Sequence, residues 1–130
     1  MSNGADTLYV FDTDLLSECL RQNPKALAFL ATTRIEDRRA TIVNEVELLT
    51  GRFQQLQTAD TIERLLSAQI RIDQTKAFLA TFPAILPLDE EAATTFFDLS
   101  RQRGTRKAGR RDLMIAATAL RHSATLVTGN

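Results

Sequence analysis

An α/β sandwich around a mainly parallel sheet is the fold this sequence predicts, and three observations predict it. Four short apolar, β-favouring runs are spread along the chain, at Leu8–Phe11, Ala40–Val43, Ala84–Leu88 and Thr125–Thr128. Helical patterns with their own start and stop signals separate them, the arrangement that places helices against a parallel sheet. With 130 residues and no repeat, low-complexity tract or linker, the chain is expected to form one domain over residues 1–130.

Each element has a local reason. Residues 1–7 are small and polar and are expected to be loose. Leu8-Tyr9-Val10-Phe11 reads as a buried strand that stops at Asp12. Thr13 or Asp14 then caps a helix carrying Leu15, Leu16, Cys19 and Leu20. Asn23-Pro24 restarts the helix, with Asn as cap and Pro in the first helical position, and Leu27, Phe29 and Leu30 form its apolar side. Ala40-Thr41-Ile42-Val43 is the second strand, ending at Asn44. The next helix spaces Val46, Leu49 and Phe53 at three and four residues, and a longer one runs from Asp60 through Ile62, Leu65, Leu66 and Ile70 towards Phe78 and Leu79, ending at Pro83. Pro87 weakens the third strand near its end. Asp89-Glu90-Glu91 put negative charge where a helix dipole favours it. Phe96, Phe97 and Leu99 give that helix its apolar face, and Gly104 is its expected stop. Leu113 to Leu120 is apolar on nearly every side and reads as a buried helix leading into the last strand.

Composition excludes several functions. Apolar residues make up 44% and charged residues 25%, which fits an ordinary globular domain. One cysteine, Cys19, allows no internal disulfide or cysteine-rich metal site, and its leucine neighbours point to a buried structural thiol. The lone His122 builds no zinc site and is expected to be structural or exposed at a helix end. There is no secretory pattern and no apolar run of the roughly 20 residues a membrane span needs, so a cytoplasmic protein is expected. The net charge is zero, yet Arg101, Arg103, Arg106, Lys107, Arg110 and Arg111 crowd one stretch. Such a stretch is either a solvated loop or an arm that holds phosphates.

Ligands of an open parallel sheet gather at the carboxyl ends of its strands, and three acids map to that edge. Asp12 ends the first strand, Glu47 lies in the first turn after the second, and Asp112 opens the buried helix before the last. Asp14 is a fourth. Clustered carboxylates call for a hard cation such as Mg²⁺ or Mn²⁺, which with a bound water is what phosphodiester hydrolysis needs. Taken singly, Asp12 can be a helix cap, Asp112 a favourable helix charge, and Glu47 a surface residue with Glu45 as its competitor. Phe11-Asp12-Thr13-Asp14 also fits the Asp-x-Asp of a haloacid-dehalogenase-like phosphatase. That reading needs a downstream lysine, and neither Lys76 nor Lys107 fits it.

The ordered set of motifs resembles a known family. Tyr9-Val10-Phe11-Asp12-Thr13-Asp14 followed by Leu16-Ser17, then Val46-Glu47-Leu48-Leu49-Thr50-Gly51, then Asp112 to Leu120 and Ser123 to Thr128, is similar to PIN-domain proteins, particularly VapC-like toxin ribonucleases. The resemblance implies a three-layer α/β/α domain with about four strands and an Mg²⁺- or Mn²⁺-dependent endoribonuclease acting by metal-assisted water attack. It makes Asp12, Glu47 and Asp112 metal ligands and Asp14 an accessory residue. Thr13 or Ser17 would orient a water or ligand, and Arg106, Lys107, Arg110 and Arg111 would meet RNA phosphates. A cognate antitoxin and a homodimer are the partners it implies. The family commonly continues into a further acid, a fifth strand and a closing helix, which a chain stopping at Asn130 is expected to lack. A non-catalytic PIN-like domain that binds RNA or protein is the alternative that this departure raises.

Overall fold

Val10 and Phe11 are both fully buried, and because strand neighbours point to opposite faces they seed two separate cores. In the computed structural model, which describes residues 7–102 and 109–128, they belong to strand β1 (Leu8–Phe11). It lies between β2 (Arg38–Thr41) and β4 (Ala124–Val127), with the short β3 (Ile85–Leu86) beyond β2. All three pairings are parallel and the order is β3-β2-β1-β4.

Phe11 packs with Leu15, Leu16 and Cys19 of α1 (Thr13–Leu20), Ala26 and Leu30 of α2 (Pro24–Leu30), Leu48 of α3 (Ile42–Thr58) and Leu79 of α4 (Ile62–Ala80). Val10 packs on the other face with Leu86 and with Ile115 and Ala119 of α6 (Arg110–Arg121), beside which lies α5 (Glu90–Arg101). Helices on both faces make the expected three layers. Emptying the first core by Phe11→Ala would cost about 3–5 kcal/mol. Cys19 is buried and its thiol pKa is pushed up by that burial, as suits a packing residue rather than a nucleophile.

Several local expectations need correcting. The cap of α1 is Asp12, not Thr13 or Asp14: its Oδ1 accepts from the Leu15 backbone N–H at 2.9 Å. The second strand begins at Arg38 and ends at Thr41, so Ile42 and Val43 are helical. Two contacts explain this shift. The Arg38 guanidinium donates to the carbonyls of Leu30 and Thr33 at 3.0 and 2.8 Å, giving a charged strand residue partners at the end of α2. Thr41 and Asn44 form a reciprocal capping box that overrides the β preference of Ile42-Val43. Glu47 therefore lies in the second turn of α3, not the first.

The apolar stripes are also displaced. Phe29, Val46, Phe53, Ile62, Leu65, Leu66, Ile70, Phe97 and Leu120 are all exposed, while Asn44 and Thr75 are buried. Helix α5 ends at Arg101, before Gly104, and α6 starts at Arg110, so Asp112 sits inside its first turn. Residues 1–6, Gly104, the basic residues Arg103, Arg106 and Lys107, and Asn130 lie outside the described residues. His122 caps the C-terminus of α6, and no helix among the described residues is long and apolar enough to cross a membrane.

The α5–α6 pair carries a pH-sensitive link. Asp89 caps α5 by accepting from the Ala92 N–H at 2.9 Å, and Arg121 of α6 pairs with Asp89 and Glu91. The Ala92 bond, with Arg121 and His122 adding to it, holds the Asp89 carboxyl below the usual carboxylate range. A lowered folded pKa contributes stability above the unfolded value of about 3.9, and that contribution is lost as pH falls through the folded pKa. Thermal unfolding of Asp89→Asn beside the wild type should show a gap at neutral pH that closes on acidification. A gap independent of pH would contradict this link.

Candidate metal centre

Strand order reverses between β1 and β4, and the carboxyl ends of these two strands are the switch point where open parallel sheets bind ligands. A cleft of about 680 Å³ opens there. Asp12, Thr13 and Asp14 reach it from the end of β1, Glu47 from α3, and Arg110, Arg111 and Asp112 from the start of α6. Thr128 enters just past β4. The first residues of α1 and α6 supply most of this rim.

Three of the expected carboxylates are thus brought together, with Asp14 beside them. Glu47 lines the cleft and its competitor Glu45 does not. Ser17 lies a turn further along α1 and is not among the lining residues. Lys76 sits exposed on α4 away from the cleft, leaving the Asp-x-Asp phosphatase reading without its lysine among the described residues. Arg110 lines the cleft with its guanidinium 4.9 Å above the ring of Phe96, a stacking contact that fixes its direction. A Cβ added to Gly109, just before α6, would meet the Asp112 carboxylate at 3.7 Å, an ordinary contact.

Glu47 is the most constrained of the acids. Its Oε1 accepts from the Thr13 hydroxyl at 2.5 Å and its Oε2 meets Arg111 at 2.9 Å. The glutamate is mostly covered, at 17% exposure, whereas Arg111 is 73% exposed, so the arginine can leave and the carboxylate cannot.

Behind Thr13 lies a residue the sequence reading passed over. Asn44 is fully buried, and its Oδ1 accepts from the Thr41 backbone N–H at 2.8 Å and from the Thr41 hydroxyl at 2.9 Å. A backbone N–H can only donate, so the amide orientation is fixed and the Nδ2 group must face Thr13, to which it donates at 3.0 Å. Thr13 therefore accepts from Asn44 and spends its own proton on Glu47. A signal existed in Thr41-x-x-Asn44, a capping-box spacing, but only the fold shows that the asparagine's second group reaches the cleft.

The lining donors are oxygens, with no thiol or imidazole, and a guanidinium already balances Glu47. This donor chemistry fits a hard divalent cation better than zinc. Among the described residues no three acid, histidine or cysteine side chains stand close enough as placed to hold one ion. The carboxylates therefore share one cleft without converging on a single point.

Fold and cleft define a doubly wound α/β domain with an acidic switch-point site. The chain belongs to the PIN domain family, whose model matches residues 9–130. Among solved structures it is similar to FitAcB from Neisseria gonorrhoeae, at 27% identity and a TM-score of 0.75 over 95% of this chain and 88% of that one. It is also similar to DNA-bound VapBC from Salmonella typhimurium, at 17% identity and a TM-score of 0.77 over 95% and 87% of the two chains. VapBC2 from Rickettsia felis, solved with a promoter DNA fragment, gives 19% identity and a TM-score of 0.72 over 95% and 89%. The VapC-like resemblance of the motifs thus extends to the fold. Comparison with curated proteins gives no match.

Proposed function

We propose that the protein is a metal-dependent endoribonuclease, the toxin of a toxin–antitoxin pair. The observation that carries this reading is the convergence of Asp12, Asp14, Glu47 and Asp112 on one cleft that also holds Arg110 and Arg111. Asp12, Glu47 and Asp112 would hold Mg²⁺ or Mn²⁺, with Asp14 as an accessory acid. Such an ion supplies charge stabilisation at a phosphate and an easier deprotonation of water.

The chain's own residues divide the remaining work. Thr13 donates to Glu47 and keeps one carboxylate oxygen oriented. Asp12 is held by the N-terminus of α1. Arg110, stacked on Phe96, and the exposed Arg111 offer guanidinium forks to RNA phosphates, and such contacts position the strand without reading its sequence. Arg111, being exposed, would be able to exchange Glu47 for an RNA phosphate. Cleavage of RNA that disappears with Glu47→Gln tests the assignment, and undiminished cleavage by that variant would sink it.

Arg111 gives a second test. Removing its charge by Arg111→Gln frees Glu47 from a competing cation, so Mn²⁺ should bind several-fold more tightly by calorimetry. RNA should bind more weakly, by about tenfold, as expected when one charge-assisted contact is lost. Weaker metal binding in this variant would mean that Arg111 supports the site rather than competing for it.

The antitoxin partner is supported by the relatives solved as VapBC, and by the exposed apolar residues, six of which lie on α3 and α4. A second copy of the chain is the other expected partner, and the mass of the purified protein in solution distinguishes the two. The alternative of a non-catalytic binding domain is favoured by one observation, the Arg111–Glu47 pair in an acid set too open to grip an ion unaided.

A further inference from the structure

A second polar cavity, of about 320 Å³, lies between the end of α1 and the facing sides of α3 and α4. Arg21, Arg52 and Arg71 line it with Gln55, Gln74 and Thr75, and no carboxylate does. Arg21 is paired with Glu18 at 2.6 Å. Among the described residues neither Arg52 nor Arg71 has an acidic partner, which leaves two positive charges in excess. Arg52 is half-buried, and its Nε donates to the hydroxyl of the fully buried Thr75 at 3.2 Å. That hydroxyl is in turn committed to the Arg71 carbonyl at 2.8 Å, so Thr75 braces Arg52 without neutralising it.

Such a cluster works against folding. The pKa of Arg52 is pushed down, first by burial and then by repulsion from Arg71 and Arg21. Exposed arginines normally swing apart into water, yet here one is braced by a buried threonine so that it faces its like-charged neighbours. An anion between them converts the repulsion into charge-assisted hydrogen bonds, and planar guanidinium forks suit tetrahedral phosphate oxygens.

We propose that the Arg21–Arg52–Arg71 cavity is a phosphate-binding site, separate from the acidic cleft. Its natural source is a backbone phosphate of bound RNA, an assignment that rests on the ribonuclease reading. Position supports that source. Thr13 lines the cleft and Leu20 lines this cavity, at the two ends of α1. At 1.5 Å per residue the helix spans about 10 Å between them. That length is within reach of one RNA strand a few nucleotides long.

Two measurements on the full chain test this. Inorganic phosphate is titrated at constant ionic strength while the arginine Nε–H signals are followed by NMR. RNA affinity is then measured against salt concentration in a cleavage-blocked Asp12→Asn background, with and without Arg52→Gln and Arg71→Gln. Arg71 is exposed, so Arg71→Gln keeps the Arg52–Thr75 brace and serves if Arg52→Gln unfolds. Saturable shifts at Arg52 that vanish in Arg71→Gln are expected, with RNA affinity about tenfold lower in either variant and a log–log salt slope shallower by about 0.7, one phosphate's worth. Saturable phosphate binding with unchanged RNA affinity would overturn RNA as the source and leave free phosphate as the ligand. No saturable shift and no change in RNA binding would overturn the site itself. Absence of RNA binding in the Asp12→Asn parent would count against the ribonuclease reading alone, because the phosphate titration reads the cavity independently.

Discussion

Asp12→Asn is expected to lower RNA cleavage on the order of a thousandfold while leaving thermal stability nearly unchanged. The two halves of this result separate the two jobs of one carboxylate. Oδ1 of Asp12 caps α1 through the Leu15 N–H, and asparagine caps as well as aspartate. The charge needed at the acidic cleft is lost, and removing one group that stabilises developing charge typically costs 10²–10³-fold or more in rate. Asp12→Ala would remove both jobs and add a stability loss of about 1 kcal/mol. Equal cleavage by the wild type and Asp12→Asn, with matched Mn²⁺ affinities, would reduce Asp12 to a helix cap.

Asn44→Ala is expected to lower stability and cleavage together. The change strands the fully buried Thr41 N–H and removes the donor to Thr13. An unsatisfied buried group and a lost cap together cost about 2–3 kcal/mol, a fall of roughly 10 °C in Tm for a domain this size. Cleavage should also fall, by about 10–100-fold, the range for groups that orient a metal-binding carboxylate. Asn44→Asp separates the effects. It retains an acceptor for Thr41 but presents a second acceptor to Thr13, whose hydroxyl must then turn away from Glu47. The α3 cap should survive while cleavage and Mn²⁺ affinity drop. If Asn44→Asp cleaves RNA like the wild type, the Asn44–Thr13–Glu47 chain has no part in the chemistry.

What the sequence made legible was what short-range chemistry controls. The strand at Leu8–Phe11 is short, β-favouring and apolar, and the Asn23-Pro24 and Asp89 caps announce their helices locally. The acids at Asp12, Glu47 and Asp112 could be placed at one sheet edge because parallel topology sends every strand end to the same side. Long-range contacts were not legible. Arg38 and Arg39 look wrong for a strand until the end of α2 turns out to receive the Arg38 guanidinium. Val46, Phe53, Ile62 and Ile70 follow helical spacing, but α3 and α4 turn them outward and bury Asn44 and Thr75 instead. Nothing local shows that Asn44 reaches Thr13, 31 residues away in sequence. The arginines of the second cavity are likewise dispersed over 50 positions and form no motif.

The central claim, that the acidic cleft hydrolyses RNA with a divalent ion, is tested most directly by incubating the purified protein with a mixed RNA pool and Mg²⁺ or Mn²⁺, beside EDTA and Asp12→Asn controls. The account predicts cleavage that is lost in both controls while the folded fraction of Asp12→Asn stays unchanged. Intact RNA from well-folded protein with either ion present, or cleavage that survives both controls, would contradict it.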